Sequence, residues 1–360
     1  MRVMIVDDSV VFRSQLKNCL EGQEGITVVG AAANGKIALE RIEQAACDLI
    51  TLDLEMPEMN GLEFLAEKKR RNLPQKVIVF AAPNKEGGAQ VLAALAAGAD
   101  DFIAKPASAT SLDEALEGIR RELLPKILQF KRRQDLYKSS EPAPSAAAKE
   151  VPLPIRSAAF PQIILETFKA RIVVIASSTG GPTALEKLFT MMKGHKVNVP
   201  ILIAQHMPPN FTESLAKRLE AICGLPAAEG KAGELILPGR IYVAPGDYHM
   251  SIGRLPETQK PIIKIDQGPK RNSVRPAADF LFETAAREYG ATTAGFVLTG
   301  MGEDGKDGAI SIKKASGAVM IQDRHTSVVW GMPGAVHDVG AFDREGDLES
   351  CGKILQCLCR

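Results

Sequence analysis

Residues 49–71 read LITLDLEMPEMNGLEFLAEKKRR, and this stretch indicates the fold of the N-terminal part of the chain. Its first residues, Leu49–Leu52, form a short apolar run that is typical of a buried strand. Gly61–Arg71 then carries apolar residues at helical spacing. The stretch therefore predicts a strand followed by a helix, with the acidic residue Asp53 at the end of the strand.

The same alternation runs from Val3 to about Leu124. The predicted strands are Val3–Val6, Thr27–Ala31, Leu49–Leu52, Lys76–Phe80 and Asp101–Ile103. The predicted helices are Val10–Leu20, Lys36–Gln44, Gly61–Arg71, Gly88–Ala97 and Ser111–Leu123. Five strands that alternate with five helices predict a parallel sheet with right-handed crossovers. We therefore predict a doubly wound, five-stranded α/β domain over residues 1–123.

Beyond this domain the composition changes, and the alternation then resumes. Lys126–Lys138 reads as a basic, amphipathic continuation of a helix, and Ser139–Pro161 is rich in alanine, proline and serine, as flexible linkers are. We assign residues 124–169 to this extension and linker, and residues 170–360 to a second α/β domain. Within it, Leu225–Gln267 predicts an antiparallel excursion on a mostly parallel sheet. Its predicted strands are Ile172–Ala176, Val199–Gln205, Arg240–Val243, Ile262–Ile265 and Ala294–Thr299, and its predicted helices are Pro182–Met192, Phe211–Ala221, Pro276–Glu288 and Lys306–Ala315.

The charge and hydropathy of the chain disfavour several classes of protein. Lysine plus arginine (44) nearly equals aspartate plus glutamate (43), so no basic field favours nucleic acid or an anionic membrane. No apolar stretch approaches the roughly 20 residues of a membrane span, and Asp7 and Asp8 interrupt the first apolar run, unlike a secretory signal. We therefore expect a cytoplasmic protein with reduced cysteines, including Cys351, Cys357 and Cys359 on a terminal helix.

Three acidic residues are predicted to meet at one edge of the first sheet. Asp7 and Asp8 end the first strand and Asp53 ends the third, and these strands are neighbours in a doubly wound sheet. Carboxylates brought together repel each other, and Mg²⁺ is the hard cation that such a site suits. Lys105 follows the fifth strand and can reach a phosphoryl group bound there. The structural alternative is that these acidic residues only begin turns or cap helices.

Asp7-Asp8, the run LDLEMPEMNGLEFL around Asp53 and the run GADDFIAKP that contains Lys105 resemble a response-regulator receiver domain, which has a flavodoxin-like fold. The resemblance implies that Asp53 accepts a phosphoryl group from the phosphohistidine of a partner histidine kinase. It also implies that Asp7, Asp8 and Asp53 hold Mg²⁺ and that Lys105 senses the acyl phosphate.

One position departs from the receiver pattern. Such domains place Ser or Thr after the fourth strand, where the hydroxyl bonds the phosphoryl oxygen, and this chain has Ala81. We expect Ala81 to weaken the coupling between phosphorylation and output, unless Asn84 or a bound water replaces the hydroxyl. The aromatic switch position is retained as Phe102.

In the second domain, the strand Ile172–Ala176 runs into Ser177-Ser178-Thr179-Gly180-Gly181 and then a helix. A tight turn between strand and helix presents a side chain at the sheet edge and aims backbone N–H groups at the same point. It therefore suits a nucleophilic hydroxyl with an oxyanion hole, a phosphate cradle, or a turn with no chemical role. The turn lacks the spacing of both common nucleotide-binding glycine motifs.

Residues that follow two other strands favour the nucleophile over the phosphate cradle and the purely structural turn. His206 follows the strand Val199–Gln205, and Asp304 follows Ala294–Thr299. Serine needs a base to become nucleophilic at neutral pH, and the imidazole needs a carboxylate to hold its tautomer. Glu303 beside Asp304 leaves a metal-site alternative open. The other histidines have weaker claims: His195, His249, His325 and His337.

These residues, with the runs STGG, QHMPPNFT, LPGRIYVAPGDYHM and LTGMGEDG, resemble the chemotaxis protein-glutamate methylesterases, the CheB family. The resemblance implies that Ser178 is the nucleophile, His206 the general base and Asp304 the orienting acid. Thr179 and Met301 fall at the family's oxyanion-stabilising positions. The implied substrate is a glutamate γ-methyl ester on the cytoplasmic helices of a chemoreceptor, and family members also deamidate receptor glutamines. The implied esterase chemistry needs no cofactor.

Two other outputs compete with a phosphorylation-regulated esterase. The second domain could be a non-enzymatic binding module with a degenerate triad, but Ser178, His206 and Asp304 are all present. A transcriptional output would need a basic surface, and the acidic and basic residues of 170–360 nearly balance without a helix-turn-helix signal. We therefore expect no nucleic-acid partner and no membrane insertion.

Overall fold

The computed structural model describes residues 1–106, 112–139 and 160–360, with side chains in the helix over 112–139 described for residues 116–132. The chain divides into two compact units between Lys149 and Glu150. Of the linker predicted over Ser139–Pro161, residues 140–159 lie outside the described residues. No helix of the described ranges is both long enough and apolar enough to cross a membrane.

The N-terminal unit is a five-stranded parallel sheet with order β2-β1-β3-β4-β5. Its strands are β1 (Arg2–Val6), β2 (Thr27–Ala32), β3 (Leu49–Asp53), β4 (Lys76–Ala81) and β5 (Asp101–Ala104). Its helices are α1 (Val10–Leu20), α2 (Gly35–Gln44), α3 (Gly61–Arg70), α4 (Lys85–Ala97) and α5 (Leu112–Ser139). This order is that of a flavodoxin-like doubly wound sheet, so the predicted fold class is confirmed.

Short polar side chains begin the first four helices of this unit. Ser9, Asn34, Asn60 and Asn84 each accept a hydrogen bond from a backbone N–H of the first helical turn. Such caps satisfy donors that have no partner inside the helix. α5 runs past Leu123 to Ser139, so the basic extension Lys126–Lys138 continues the fifth helix, as the sequence predicted.

The C-terminal unit contains a seven-stranded sheet with order β14-β13-β12-β6-β7-β9-β8, in which every recorded pairing is parallel. Its strands are β6 (Ile172–Ser177), β7 (Ile201–Gln205), β8 (Ala227–Glu229), β9 (Ile241–Val243), β12 (Thr293–Val297), β13 (Ala318–Gln322) and β14 (Arg344–Gly346). β10 (His249–Arg254) and β11 (Pro261–Asp266) form a separate antiparallel pair. The predicted antiparallel element is therefore confirmed, although it is not part of the main sheet.

In the part of this unit that the structure describes, the α-helices are α6 (Gly181–Met191), α7 (Phe211–Cys223), α8 (Ala278–Tyr289), α9 (Lys306–Lys314), α10 (Met332–Asp338) and α11 (Leu348–Leu358). The central strands β6, β7 and β12 are buried along their whole length, as in a parallel sheet covered on both faces. The terminal cysteines lie on or directly after α11, and all six cysteines of the chain are free thiols.

A buried ion pair binds the segment that precedes β6 to the rest of this unit. Lys313 on α9 pairs with Asp343, and both side chains are almost completely buried. The ammonium also donates to the carbonyl of Pro161 at 3.0 Å. The carboxylate accepts the N–H groups of Ile163 and Val319, each at 2.7 Å. The pair thus joins the start of the unit, α9 and β13 at one point.

We predict that Asp343→Ala lowers the free energy of unfolding of the C-terminal unit by about 3–5 kcal/mol, because it leaves the Lys313 ammonium buried without its counter-charge. Trp330 is the only tryptophan of the chain, so its fluorescence during urea unfolding reports this unit. Glu166→Ala is the control, since it removes the exposed neighbouring pair with Arg344 and should change stability little. Equal losses in the two variants would contradict the prediction.

Candidate active site

The acidic residues predicted to meet in the N-terminal unit do so. β1 and β3 are adjacent, and ligand oxygens of Asp7, Asp8 and Asp53 lie within 4.8 Å of one another. The Lys105 ammonium lies 2.8 Å from an Asp53 oxygen and 3.3 Å from an Asp7 oxygen. Asp7 and Asp53 are buried, whereas Asp8 is exposed. The cluster therefore combines a buried carboxylate, Asp53, with an exposed one, Asp8.

The electrostatics of this cluster suit a hard cation. Burial raises the pKa of Asp7 to about 6, and the charge of Asp53 adds to the rise, although Lys105 opposes it. Burial lowers the pKa of Lys105, but its hydrogen bonds to Asp53 and Asp7 outweigh burial and raise it. Oxygen ligands with excess negative charge are what Mg²⁺ prefers, so Asp7, Asp8 and Asp53 fit the ion that the sequence implied.

The position of Ala81 offers only a methyl group beside this cluster. Ala81 is buried at the end of β4, and its carbonyl accepts the N–H of Lys105 at 2.7 Å. The side-chain oxygen of Asn84 accepts the N–H of Gly87 at 2.7 Å as the cap of α4. This cap engages only the amide oxygen of Asn84, so the side-chain NH₂ is the group that would have to replace the missing hydroxyl donor.

In the C-terminal unit, the register of three strands brings the predicted nucleophile and base to one edge. Ser177 on β6 pairs with Gln205 on β7, so Ser178 and His206 are the next residues of neighbouring strands. On the other side of β6, the N–H of Ser178 donates to the carbonyl of Thr299 at 3.0 Å. Ser178 therefore lies between the segment that carries His206 and the segment that leads to Asp304.

Gln205 connects these segments through its side chain. This buried amide donates to the carbonyls of Ser178 at 3.0 Å and His206 at 3.2 Å, and its oxygen accepts the hydroxyl of Ser177 at 2.6 Å. A Cβ on Gly181 would lie 2.0 Å from that oxygen, so only glycine fits at the start of α6. The sequence analysis did not identify Gln205; its only signal is its place directly before His206.

His206 and Asp304 form a hydrogen-bonded pair. His206 Nε2 lies 2.7 Å from Asp304 Oδ2, and the side chains are 11% and 2% exposed. A proton held on Nε2 by the carboxylate leaves Nδ1 as the acceptor nitrogen of the neutral ring. Ser178 is half-buried, and within the described residues its hydroxyl has no hydrogen-bond partner. A hydroxyl without a recorded partner and an oriented imidazole thus lie at the same sheet edge.

Asp304 is held by the N-terminus of α8. Its carboxylate accepts the N–H of Ala278 at 2.6 Å, the N–H of Asp279 at 3.2 Å and the side-chain amide of Asn272 at 3.4 Å. Burial tends to raise the pKa of Asp304, but the His206 hydrogen bond and these backbone donors outweigh it and lower the pKa. Asp304 is therefore ionised and fixed, as an orienting acid must be.

Two backbone N–H groups are available near Ser178. Within the described residues, the amides of Thr179 and Met301 have no hydrogen-bond partner. Thr179 is buried and follows Ser178, and Met301 follows Gly300, where a Cβ would lie 2.9 Å from the Ser178 Cβ. Unpaired donors beside a nucleophile can stabilise a developing oxyanion.

Two of the other candidates, His249 and Glu303, have hydrogen-bond or ion-pair partners outside the His206–Asp304 pair. His249 is buried and structural, since Nε2 lies 3.0 Å from the carbonyl of Pro269 and Nδ1 accepts the N–H of Ala277 at 3.2 Å. Glu303 is exposed and pairs with Lys306, so it points to a surface ion pair rather than a metal site. Three residues that the sequence analysis missed, Gln205, Asn272 and Asp279, surround the pair instead.

Comparison with known proteins connects both sites to one family. A family model described as CheB methylesterase matches residues 173–355, and one described as response regulator receiver domain matches residues 3–117. A Trichodesmium erythraeum (strain IMS101) protein named protein-glutamate methylesterase/protein-glutamine glutaminase is 42% identical over 95% of this chain and 94% of its own length. A Caulobacter vibrioides protein of the same name, numbered 2, is 42% identical over 100% of this chain and 99% of its own.

A solved structure agrees with this for the C-terminal unit. The catalytic domain of the Thermotoga maritima CheB methylesterase is 39% identical, with a TM-score of 0.50. The similarity covers 52% of this chain and 98% of that domain. The fold that holds Ser178, His206 and Asp304 is therefore similar to that of a methylesterase domain.

We predict that Asp279 makes the folded C-terminal unit less stable as the pH rises from about 4 to about 6. Burial and the charge of Asp304 raise its pKa to about 6. Between about pH 4 and 6 the folded chain holds a proton that the unfolded chain has released, and the stability that this proton contributes is lost as the pH rises through the folded pKa. The shift corresponds to about 3 kcal/mol.

Urea unfolding followed by Trp330 fluorescence between about pH 4.5 and 7.5 measures this dependence. About 2 kcal/mol of the loss falls within this pH range, and Asp279→Asn should remove that dependence. Asp266→Asn, which changes an exposed aspartate of the same unit, should retain it. An unchanged dependence in Asp279→Asn would refute the prediction.

Proposed function

This chain belongs to the CheB methylesterase family, and from that premise we propose that it is a phosphorylation-regulated serine esterase. Its substrates are glutamate γ-methyl esters on the cytoplasmic domains of chemoreceptors, and receptor glutamines are deamidated at the same site. The observation that carries the proposal is the His206–Asp304 pair at the sheet edge beside the Ser178 hydroxyl. We assign the catalytic unit to residues 170–360 and the protein to the cytoplasm.

The proposed roles follow from the geometry of the pair. His206 Nδ1 takes the proton of the Ser178 hydroxyl as Oγ attacks the ester carbonyl, while Asp304 holds Nε2–H and stabilises the imidazolium. The N–H groups of Thr179 and Met301 bind the oxyanion of the tetrahedral intermediate. The imidazolium then protonates the leaving methoxide, so methanol departs and an acyl ester forms on Ser178.

The second half of the reaction uses the same groups. His206 removes a proton from water, the hydroxide attacks the acyl ester, and the proton returns to Ser178 as glutamate leaves. A glutamine side chain passes through an equivalent tetrahedral intermediate and releases ammonia in place of methanol. These steps require only side chains and backbone donors of this chain and water.

A non-enzymatic binding module is the second candidate function. Such a module would not need an ionised, nearly inaccessible carboxylate aligned on a histidine, since burying that charge costs free energy. The lowered pKa of Asp304 and its 2.7 Å contact to His206 support catalysis over binding alone.

The N-terminal unit supplies the proposed regulation. Asp53 accepts a phosphoryl group from a histidine kinase of the chemotaxis type, and Asp7, Asp8 and Asp53 hold the Mg²⁺ that neutralises charge during the transfer. Lys105, which already contacts Asp53 and Asp7, binds the phosphoryl oxygen once Asp53 is modified. The methyl group of Ala81 cannot contribute the usual hydroxyl, so we propose that coupling to the esterase is weaker than in receivers with Ser or Thr.

We predict that Ser178→Ala abolishes methanol release from methylated receptor, because no nucleophile remains. His206→Ala should lower turnover by roughly three to six powers of ten, because no base takes the serine proton. Both variants should still become phosphorylated on Asp53. Ser251→Ala, a change of a half-buried serine on β10, is the control and should keep full activity. Near-normal methanol release by Ser178→Ala would exclude the serine mechanism.

We also predict that a small-molecule phosphodonor with Mg²⁺ activates the intact chain and that Asp53→Asn abolishes this activation. A coupling free energy of about 1–3 kcal/mol corresponds to activation of about 5–150-fold. Basal methanol release should persist in Asp53→Asn, because the variant leaves Ser178 unchanged. Glu24→Gln, which removes an exposed carboxylate of the same unit, should be activated as the wild type is. Activation of Asp53→Asn equal to that of the wild type would rule out regulation through this residue.

A further inference from the structure

The carboxylates of Asp304 and Asp279 accept hydrogen bonds at the starts of helices α8 and α9, respectively. Asp304 lies two residues before the start of α9, and its carboxylate accepts N–H groups of the first residues of α8. Asp279 lies in the first turn of α8, and its Oδ1 accepts the N–H of Gly305 at 3.0 Å and of Gly308 at 2.7 Å, at the start of α9. Asp304 therefore caps α8, the helix that carries Asp279, and Asp279 caps α9, the helix that begins two residues after Asp304. The two sets of hydrogen bonds hold the end of the loop that bears Asp304 against the start of α8.

Asn272 connects the two carboxylates directly. Its side-chain NH₂ lies 3.0 Å from Asp279 Oδ2 and 3.4 Å from Asp304 Oδ1. An amide NH₂ has two hydrogens, so one group can donate to both acids. Asn272 is itself exposed and adopts a left-handed backbone conformation, with φ of 52°. An exposed residue that reaches two buried carboxylates contributes little to the core.

The loop that carries Asn272 is held on both sides. His249 is hydrogen-bonded to Pro269 and Ala277, which lie before and after Asn272 in the chain. Arg271 places its guanidinium 3.4 Å from Asp279, and it also pairs with Glu283 and Asp307. The amide of Asn272 is therefore presented to the acids by a restrained segment.

We propose that Asn272 and Asp279 are positioning residues for catalysis, which act by holding the Asp304 carboxylate in the orientation that binds His206 Nε2. This inference rests on the proposed esterase function. Asp304 Oδ2 faces His206 and Ala278, while Oδ1 faces Asn272 and the N–H of Asp279. The donors on Oδ1 set the rotation of the carboxylate, and the rotation sets the direction of Oδ2 toward the imidazole.

The test compares two replacements of Asn272 in the intact chain. Asn272→Gly removes the amide and tolerates the positive φ, and it should lower kcat roughly ten- to a hundred-fold, the effect expected for a lost hydrogen bond to a charged group. The KM for methylated receptor should stay within about twofold, because Asn272 contacts no substrate in this proposal. Asn272→Asp places a third carboxylate beside two others and should lower kcat further.

Asn72→Gly is the matched control, because Asn72 is exposed and has the same φ of 52° in the N-terminal unit. It should leave kcat and KM unchanged. Trp330 fluorescence during urea unfolding shows whether each variant is folded under assay conditions. A folded Asn272→Gly whose kcat matches that of Asn72→Gly would overturn the inference.

A double-mutant comparison separates positioning from general stability. If Asn272 acts through Asp304, then adding Asn272→Gly to Asp304→Asn should change the residual kcat by less than about twofold. Adding Asp279→Asn to Asp304→Asn should likewise have little further effect. Full, additive losses in these double variants would overturn the inference.

The same assay distinguishes this inference from the proposed function. An inactive Ser178→Ala together with a normal Asn272→Gly overturns only the positioning role. An active Ser178→Ala overturns the serine mechanism and the positioning role with it.

Discussion

The central strand β6 is hydrogen-bonded to β7 on one side and to β12 on the other, and the candidate active site depends on these two registers. Ser177 pairs with Gln205, and Ala176 pairs with Val297, so the strands end at the same edge. The residues that follow, including Ser178 and His206, must therefore leave the sheet side by side. A slip of one residue in either pairing would turn the side chains to the opposite face and separate the nucleophile from its base.

Both units bury carboxylates at the carboxyl ends of parallel strands, and they offset the cost of burial in different ways. In the N-terminal unit Lys105 supplies a positive charge to Asp7 and Asp53, and the site still suits a divalent cation. In the C-terminal unit the backbone N–H groups of two helix starts supply the donors for Asp304 and Asp279. The first arrangement leaves one of its carboxylates, Asp8, exposed, whereas the second holds a fixed, buried acid.

Sequence patterns predicted the central elements well and the peripheral ones poorly. The helix Val10–Leu20 was predicted with its observed bounds, and the central strands β6 and β12 were found within two residues at each end. β13, β14 and α10 were not predicted. β14 has only three residues, too few for a hydrophobic period, although β13 is a buried five-residue strand that periodicity alone could have indicated. The basic stretch Lys126–Lys138 was predicted to continue the fifth helix, and α5 does extend past Pro125 to Ser139.

The sequence by itself determined the two α/β units and the residues at their strand ends, because short apolar runs, glycine-rich turns and adjacent polar residues are local features. It therefore identified Asp53, Ser178, His206 and Asp304. Only the tertiary structure decided which imidazole nitrogen faces Asp304 and which groups hold that carboxylate. Gln205, Asn272 and Asp279 are separated by up to 74 positions in the chain and carry no distinctive motif. Their contacts arise because strand register and two helix starts converge in space, and no pattern along the chain encodes that convergence.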